Sequence, residues 1–277
     1  MITYQFAEVN GTNIHYEARG AGTAVVLIHA GVVNLGMWDE QMDAFAKQHY
    51  VIRYDVRGWG ETADPPMTYS AHDDLLGLLR HLGVETAVLI GCSWGGKIAL
   101  DFALEYPKMV TGLVLVGSGL GGYEFQMEGI AERAEEMHAA YEQGEIDLAA
   151  EISTQVWYDG LTRNPEQVNE QGRTRVSELI RHTFQLPEGS GKRQEPTPPA
   201  INRLDTIKIP TLIIIGEQDA PDVQRIAELL RDGLPLARQI TMADTAHFPN
   251  IEKPSEFNQI VLNFLAQTFA GSKGKQL

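Results

Sequence analysis

Gly91-Cys92-Ser93-Trp94-Gly95, followed by Gly96, sets a serine between glycines at two-residue spacing. A serine hydroxyl attacks a carbonyl when a base takes its proton and an acid orients that base. An apolar run at 87–90 reads as a strand and 95–106 as a helix, so Ser93 stands at a strand-to-helix turn. Glycines two before and two after such a turn avoid clashes between neighbouring Cβ atoms, and the strained backbone thrusts the hydroxyl outward. The helix behind it aims N–H groups and positive dipole at negative charge developing on a substrate. The bare pattern arises by chance in roughly one such chain in ten, so the strand–turn–helix setting carries the argument.

The base must be one of eight histidines. Most fall inside predicted strands or helices. His247 instead lies in Ala243-Asp244-Thr245-Ala246-His247-Phe248-Pro249, a loop after the strand-like 239–242 and before the last helix. Loops of this kind gather at the carboxyl edge of a doubly wound sheet. Asp219 closes Gly216-Glu217-Gln218-Asp219, just past the apolar run 211–215, and so reaches the same edge. The chain order Ser93, Asp219, His247 is that of an elbow-type triad. Asp222 is the alternative acid, and Asp219 has a second possible role in capping the helix that follows Pro221. Asp244 is too near His247 on one loop to be preferred.

An oxyanion also needs donors. The turn His29-Ala30-Gly31-Val32 follows the run Ala24–Ile28, and a backbone N–H there can face the tip of the Ser93 turn. The N–H of Trp94, the residue after the nucleophile, is the second donor. His29 itself reads as packing for that turn. Asp55-Val56-Arg57-Gly58-Trp59-Gly60 reads as a buried, salt-bridged turn rather than chemistry. Cys92, one residue before the elbow tip, should point into the core.

Several elements must hold these groups in place. Residues 3–9 and 13–18 alternate like antiparallel strands joined through Asn10-Gly11, a hairpin signal. Unbroken apolar runs at 24–28, 50–54, 87–90, 113–116 and 211–215 suit strands buried on both faces, as in a parallel sheet. Helical stretches lie near 36–47, 71–82, 95–106, 222–232 and 254–269. This alternation predicts a doubly wound, mostly parallel α/β sheet. Residues 119–200 break the rhythm: no strand is evident there. Met127, Ile130, Ala134, Met137 and Tyr141 recur at helical spacing, as do Ile146, Ala149, Ile152 and Val156, then Val168, Val176, Leu179 and Thr183. The expected division is a core of 1–118 and 201–270, a helical insertion at 119–200, and a flexible tail at 271–277.

The insertion carries 15 acidic and 7 basic residues, a large share of the formal charge of −15, and reads as a solvated face. A chain this acidic repels phosphate backbones and anionic membranes, which argues against nucleic-acid and membrane partners. One cysteine permits no internal disulfide, and the N-terminus lacks the basic start and apolar stretch of a signal peptide. A soluble cytoplasmic protein is the expectation. No H-E-x-x-H and no paired Cys/His spacing suggests a metal, and no cofactor is expected.

The His29–Gly31 turn, the 55–60 run, the 91–96 elbow, the strand end at 216–219 and Ala246-His247-Phe248-Pro249 together resemble the α/β-hydrolase superfamily over essentially the whole chain. The resemblance implies a Ser93–Asp219–His247 triad and an oxyanion hole from the Gly31 and Trp94 amides. It also implies a helical lid at 119–200. Members with such a lid and elbow include carboxylesterases, enol-lactonases, cofactor-free haloperoxidases or perhydrolases, and C–C bond hydrolases. Two positions depart from the usual pattern: Ala30 where the family has glycine, and Cys92 before the nucleophile. A serine rather than an aspartate at 93 separates the chain from haloalkane dehalogenases and epoxide hydrolases. The implied activity is cofactor-independent hydrolysis of a small ester or lactone. Trp157, Tyr158, Phe184 and Phe248 are the candidate pocket aromatics, although aromatics at helical spacing more often belong to a core.

Two other classes compete. Gly117-Ser118-Gly119-Leu120-Gly121-Gly122 matches a dinucleotide fingerprint, with Glu136 and Glu142 about where a ribose-binding acid belongs. That motif requires a strand after its helix, and 145–158 reads helical, so the glycines are taken as a flexible approach to the lid. A non-catalytic receptor on the same fold is the third class; the complete Ser/Asp/His set argues against it.

Overall fold

The computed structural model describes residues 5–187 and 189–273. The chain opens with β1 (Gln5–Val9) and β2 (Thr12–Arg19), antiparallel and joined at Asn10 and Gly11. Both turn residues take positive φ, 46° and 78°, the backbone a tight hairpin with right-handed twist demands. Then come β3 (Ala24–Ile28), α1 (Asp39–Phe45), β4 (Tyr50–Tyr54), the two-residue β5 (Thr68–Tyr69), α2 (Ala71–His81), β6 (Ala87–Cys92), α3 (Trp94–Glu105) and β7 (Val110–Val116).

After β7 the chain leaves the sheet. It forms α4 (Ala131–Glu142), α5 (Ile146–Thr154), a π-helical turn (Gln155–Asp159), α6 (Glu170–Phe184) and the two-residue β8 (Lys192–Arg193). It returns through β9 (Thr211–Gly216), α7 (Pro221–Gly233), β10 (Ala237–Met242), the short α8 (Pro249–Glu252) and α9 (Pro254–Lys273). Of the tail expected at 271–277, residues 271–273 continue α9 and 274–277 lie outside the described residues, as do residues 1–4, which include the first two of the strand expected at 3–9.

Eight strands form one sheet in the order β1-β2-β4-β3-β6-β7-β9-β10, parallel from β4 onward. Every residue of β3, β6 and β9 is buried, as their unbroken apolar runs predict. Alternate side chains feed two cores. Val26, Ile28 and Leu89 pack with Leu75, Leu79, Ile98 and Phe102 on one face. Val25, Leu27, Val88 and Ile90 pack with Trp38, Phe45, Phe257 and Phe264 on the other. The carboxyl ends of β3, β6, β7, β9 and β10 therefore open along one edge.

Three expectations need correction. The 119–200 segment does contain a strand: β8 pairs with β5, with Lys192 N–H donating to the Met67 carbonyl at 2.8 Å and Gln194 N–H to that of Tyr69 at 2.7 Å. Lys192 and Arg193 are exposed, so the pairing leaves no apolar pattern to read. The glycines at 117–122 do not form a loose approach either. Gly117 N–H donates to the Ile214 carbonyl at 2.9 Å and Gly119 N–H to that of Ser93 at 2.8 Å, so the turn is bonded on both sides. Nor do they open a helix of a βαβ unit, because α4 begins only at Ala131 and is followed by α5 rather than a strand. Met127, assigned to the helical pattern, has a φ of 57° and lies in the turn before α4. No helix among the described residues is long and apolar enough to cross a membrane.

Candidate active site

Ser93 stands between β6 and α3 with φ 52° and ψ −114°, a conformation a non-glycine residue adopts only under constraint. Its N–H donates to the Val116 carbonyl at 2.9 Å, and its carbonyl accepts from Lys97 N–H at 3.1 Å. The flanking glycines are demanded by contact: a Cβ at Gly91 would fall 2.2 Å from the Gly95 carbonyl oxygen, and one at Gly95 2.2 Å from that of Ile28. The elbow is thus pressed onto β3 and onto its own helix. Cys92 is buried, and its thiol donates to the His247 carbonyl at 3.7 Å. Burial, reinforced by the Asp219 charge, pushes that thiol well above its ordinary pKa, which keeps it protonated.

Asp219 and His247 meet at the same edge. His247 Nδ1 lies 3.0 Å from Asp219 Oδ1 and 2.9 Å from Oδ2, with both side chains buried. A carboxylate only accepts, so Nδ1 carries the proton and Nε2 is left with its lone pair. Asp219 Oδ1 also accepts the Ala220 N–H at 2.8 Å, but Ala220 is itself the N-cap of α7 and no side chain caps that helix, so the capping role is not realised. Asp222, the alternative acid, is committed elsewhere. It accepts from Tyr123 Oη at 2.8 Å, from the N–H groups of Gln126 and Met127, and from Arg225. Burial raises its pKa, but those hydrogen bonds outweigh the effect and hold the carboxyl below its usual range.

The turn after β3 is equally defined. His29 is fully buried; its Nε2 accepts the Val56 N–H at 2.9 Å and its Nδ1 donates to the Ala30 carbonyl at 2.7 Å. Burial lowers its pKa against the opposing pull of Asp55, so it serves as a neutral strut, as the sequence suggests. With the Ala30 carbonyl turned toward His29, the trans peptide aims the Gly31 N–H the other way. Gly31 rests against Trp94, where an added Cβ would lie 3.4 Å from the Trp94 Cβ, and its carbonyl accepts the Trp59 indole N–H. Trp94 opens α3, among the N–H groups a helix leaves unpaired. Its ring lies 3.9 Å beneath the Arg193 guanidinium and 5.0 Å from Lys97 Nζ, tying β8 to the elbow. The 55–60 run is a salt-bridged turn as expected, with Asp55 on His15 at 2.6 Å and Arg57 on Asp74 at 2.7 Å.

The four pocket aromatics separate. Trp157 lies with its ring 4.7 Å from the His247 ring at a tilt of 44°, presented by the π-helical turn, and its carbonyl accepts the His247 N–H at 3.1 Å. Phe248 meets the same ring edge-on at 5.4 Å but is wholly buried in the core. Tyr158 is wholly buried too, its hydroxyl donating to the Asn169 carbonyl at 3.2 Å beneath α6. Phe184 pairs with Tyr141 at 5.5 Å between α6 and α4. Trp157 alone of the four combines partial exposure with contact to His247.

Two further residues lie near the Asp219–His247 pair, and the sequence does not place either of them there. Gly117, with φ 46°, lies against Asp219 and His247. Glu252 is buried behind the histidine loop, where it bonds Arg163 and the Ala246 N–H. Both take their roles from contacts with residues distant in sequence.

Residues 23–254 match the α/β hydrolase fold family. A 2-hydroxy-6-oxononadienedioate/2-hydroxy-6-oxononatrienedioate hydrolase of Paraburkholderia phymatum is 31% identical over 266 residues, 92% of this chain and 91% of its own. The solved structure of Est816, described as an N-acyl homoserine lactone degrading enzyme, is 27% identical with a TM-score of 0.72, covering 94% of this chain and 100% of that one. The enol-lactonase of Burkholderia xenovorans LB400 shares the fold with a TM-score of 0.74 at 22% identity, covering 95% and 100%. The elbow, the buried aspartate–histidine pair and the eight-stranded sheet thus accompany a match over nearly the whole chain, and this protein belongs to the α/β-hydrolase fold family.

Proposed function

We propose that the chain is a cofactor-independent serine hydrolase that cleaves a carboxylic ester or lactone through an acyl-enzyme. The observation that carries this reading is the Asp219–His247 pair, bonded at 2.9 Å, at the sheet edge where the strained Ser93 heads α3. His247 Nε2 takes the Ser93 proton as the oxygen attacks the carbonyl. The Gly31 and Trp94 N–H groups hold the oxyanion, aided by the α3 dipole. His247 returns the proton to the leaving alcohol, then activates the water that clears the acyl group. Asp219 holds the tautomer throughout. Residues 119–200 act as a lid over a core of 1–118 and 201–270, with Trp157 facing the substrate.

A second reading, C–C bond hydrolysis on the same triad, draws support from the hydrolase relative of Paraburkholderia phymatum. A chain-length series of p-nitrophenyl esters, run beside lactones and a 2-hydroxy-6-oxo-dienoate, separates the two by relative kcat/KM. The control is Ser93→Ala, which should fold normally and lose on the order of 10³–10⁶ in kcat. An organophosphonate should label Ser93. Full activity in Ser93→Ala, or a label at another residue, overturns the nucleophile.

A further inference from the structure

Arg163 lies in the segment that follows the π-helical turn. Its Nε donates to the Asp159 carbonyl at 2.7 Å and its Nη2 to the Tyr158 carbonyl at 2.7 Å. Its Nη1 crosses to the histidine loop, donating to the Asp244 carbonyl at 2.8 Å and meeting Glu252 Oε2 at 2.8 Å. Glu252 turns its other oxygen to the Ala246 N–H, one residue before His247, at 2.6 Å. The Trp157 carbonyl takes the His247 N–H itself. Thr162 Oγ1 donates to Gln218 Oε1 at 2.6 Å, next to Asp219, and a Cβ at Gly160 would fall 2.9 Å from the Gln218 carbonyl oxygen. Residues 157–163 therefore touch the loops of both the base and its acid.

We propose that Arg163 and Glu252 form a clamp that positions His247 for proton transfer, making them positioning residues for the reaction. The inference rests on His247 being the base. The argument starts from desolvation. Taking an arginine and a glutamate out of water offsets most of their attraction, so a buried pair adds little stability over an apolar pair of equal size. Its value lies in directional bonds that apolar contacts cannot make. The planar Arg163 fork spans four acceptors at fixed angles. Three of them are backbone carbonyls, so it sets the path of two chain segments at once. A lysine offers a point charge in its place and cannot span them. The groups facing Glu252 are Arg163, the Ala246 amide, and the more distant Asp219 and Tyr158. Arg163 is the cation of the set. Proton transfer is steep in geometry, and a displacement near 1 Å can cost about 10²-fold in rate.

The test compares Arg163→Ala, Arg163→Lys and Glu252→Gln at pH 8, on an ester the native protein turns over. Circular dichroism and a thermal melt establish that each is folded. The expected result is a kcat lowered by about tenfold or more in Arg163→Ala and Glu252→Gln with KM within about twofold, and a smaller loss in Arg163→Lys. A readout independent of substrate accompanies it: the downfield proton resonance of His247 Nδ1–H, identified by its loss in His247→Asn, should move or broaden in the same variants. Glu252→Gln keeps the shape and an acceptor for Ala246, so it decides the matter where Arg163→Ala does not fold. Unchanged kcat and an unmoved resonance in folded Glu252→Gln overturn the clamp. A moved resonance alongside full activity in Ser93→Ala keeps the clamp and removes the serine hydrolase reading instead.

Discussion

Gly117 lies against the aspartate–histidine pair: a Cβ built on it would stand 3.0 Å from both Asp219 Oδ2 and His247 Nδ1. Its φ of 46° adds a second constraint, since side chains disfavour that region by roughly 1–2 kcal/mol. Gly117→Ala should therefore push the pair apart by a few tenths of an ångström. The expected outcome is a kcat reduced by about 10–100-fold with a modest fall in Tm. A lower Tm with native kcat would mean that the turn, and not the pair, gives way.

Asp219 and Asp222 stand three residues apart, and both are buried, but their partners assign different work. Asp219→Asn should lower kcat sharply, on the order of 10⁴ where such a triad acid is neutralised, because the amide permits the wrong imidazole tautomer. Asp222→Asn should leave kcat within a few-fold and loosen residues 123–127, whose N–H groups at 126 and 127 it accepts. Hydrogen exchange at those amides reads the second effect. Reversal of the two kinetic results would reassign the acid.

The oxyanion donor proposed at residue 31 can be probed at a single position. Gly31 does not have a positive φ, and a Cβ there makes an ordinary 3.4 Å contact with Trp94. Gly31→Ala keeps the N–H and should be nearly native. Gly31→Pro removes it and should lose about 10²–10³ in kcat, as loss of one such donor does elsewhere. Equal activity in two folded variants would pass the role to a neighbouring amide.

The buried Glu252 carboxyl makes a pH prediction. Burial is the largest influence and raises its pKa from 4.5 to about 7, against the opposing effect of Arg163 and the Ala246 amide. Between those values the folded protein keeps a proton that the unfolded chain has released. Stability from this group therefore falls as pH rises from about 4.5 through about 7 and is level above it. In urea unfolding, the native-minus-Glu252→Gln difference should drop by on the order of 2–3 kcal/mol between pH 5 and pH 8. A flat difference would show that Glu252 stays ionised throughout.

How much of this is legible in the sequence depends on how local the cause is. The unbroken runs 24–28 and 211–215 announce strands buried on both faces, because periodicity is a property of neighbours. Gly91 and Gly95 announce the elbow for the same reason. Asp219 and Asp222 are not separable by spacing; only the fold brings His247 to one and Tyr123 to the other. Gly117 reads as a loop glycine until Asp219 and His247 close on it. Arg163 and Glu252 belong to no pattern in the sequence, since burial of a charge is decided by what packs over it. Tyr158 and Phe248 show the converse: aromatics beside functional residues whose own place is the core.

The π-helical turn at Gln155–Asp159 has a consequence for remodelling the protein. Its Trp157 carbonyl carries one of the backbone bonds that hold His247, so the histidine loop is stitched to the helical segment above it. Transplanting residues 119–200 from a relative as a single block would import a foreign partner for that loop. A chimera that exchanges only α4 and the first turns of α5, leaving 155–163 native, changes the outer part of the proposed lid without touching the stitch. On the proposed reading, substrate preference would then be altered in the outer helices while the backbone bond that holds the His247 loop is inherited intact.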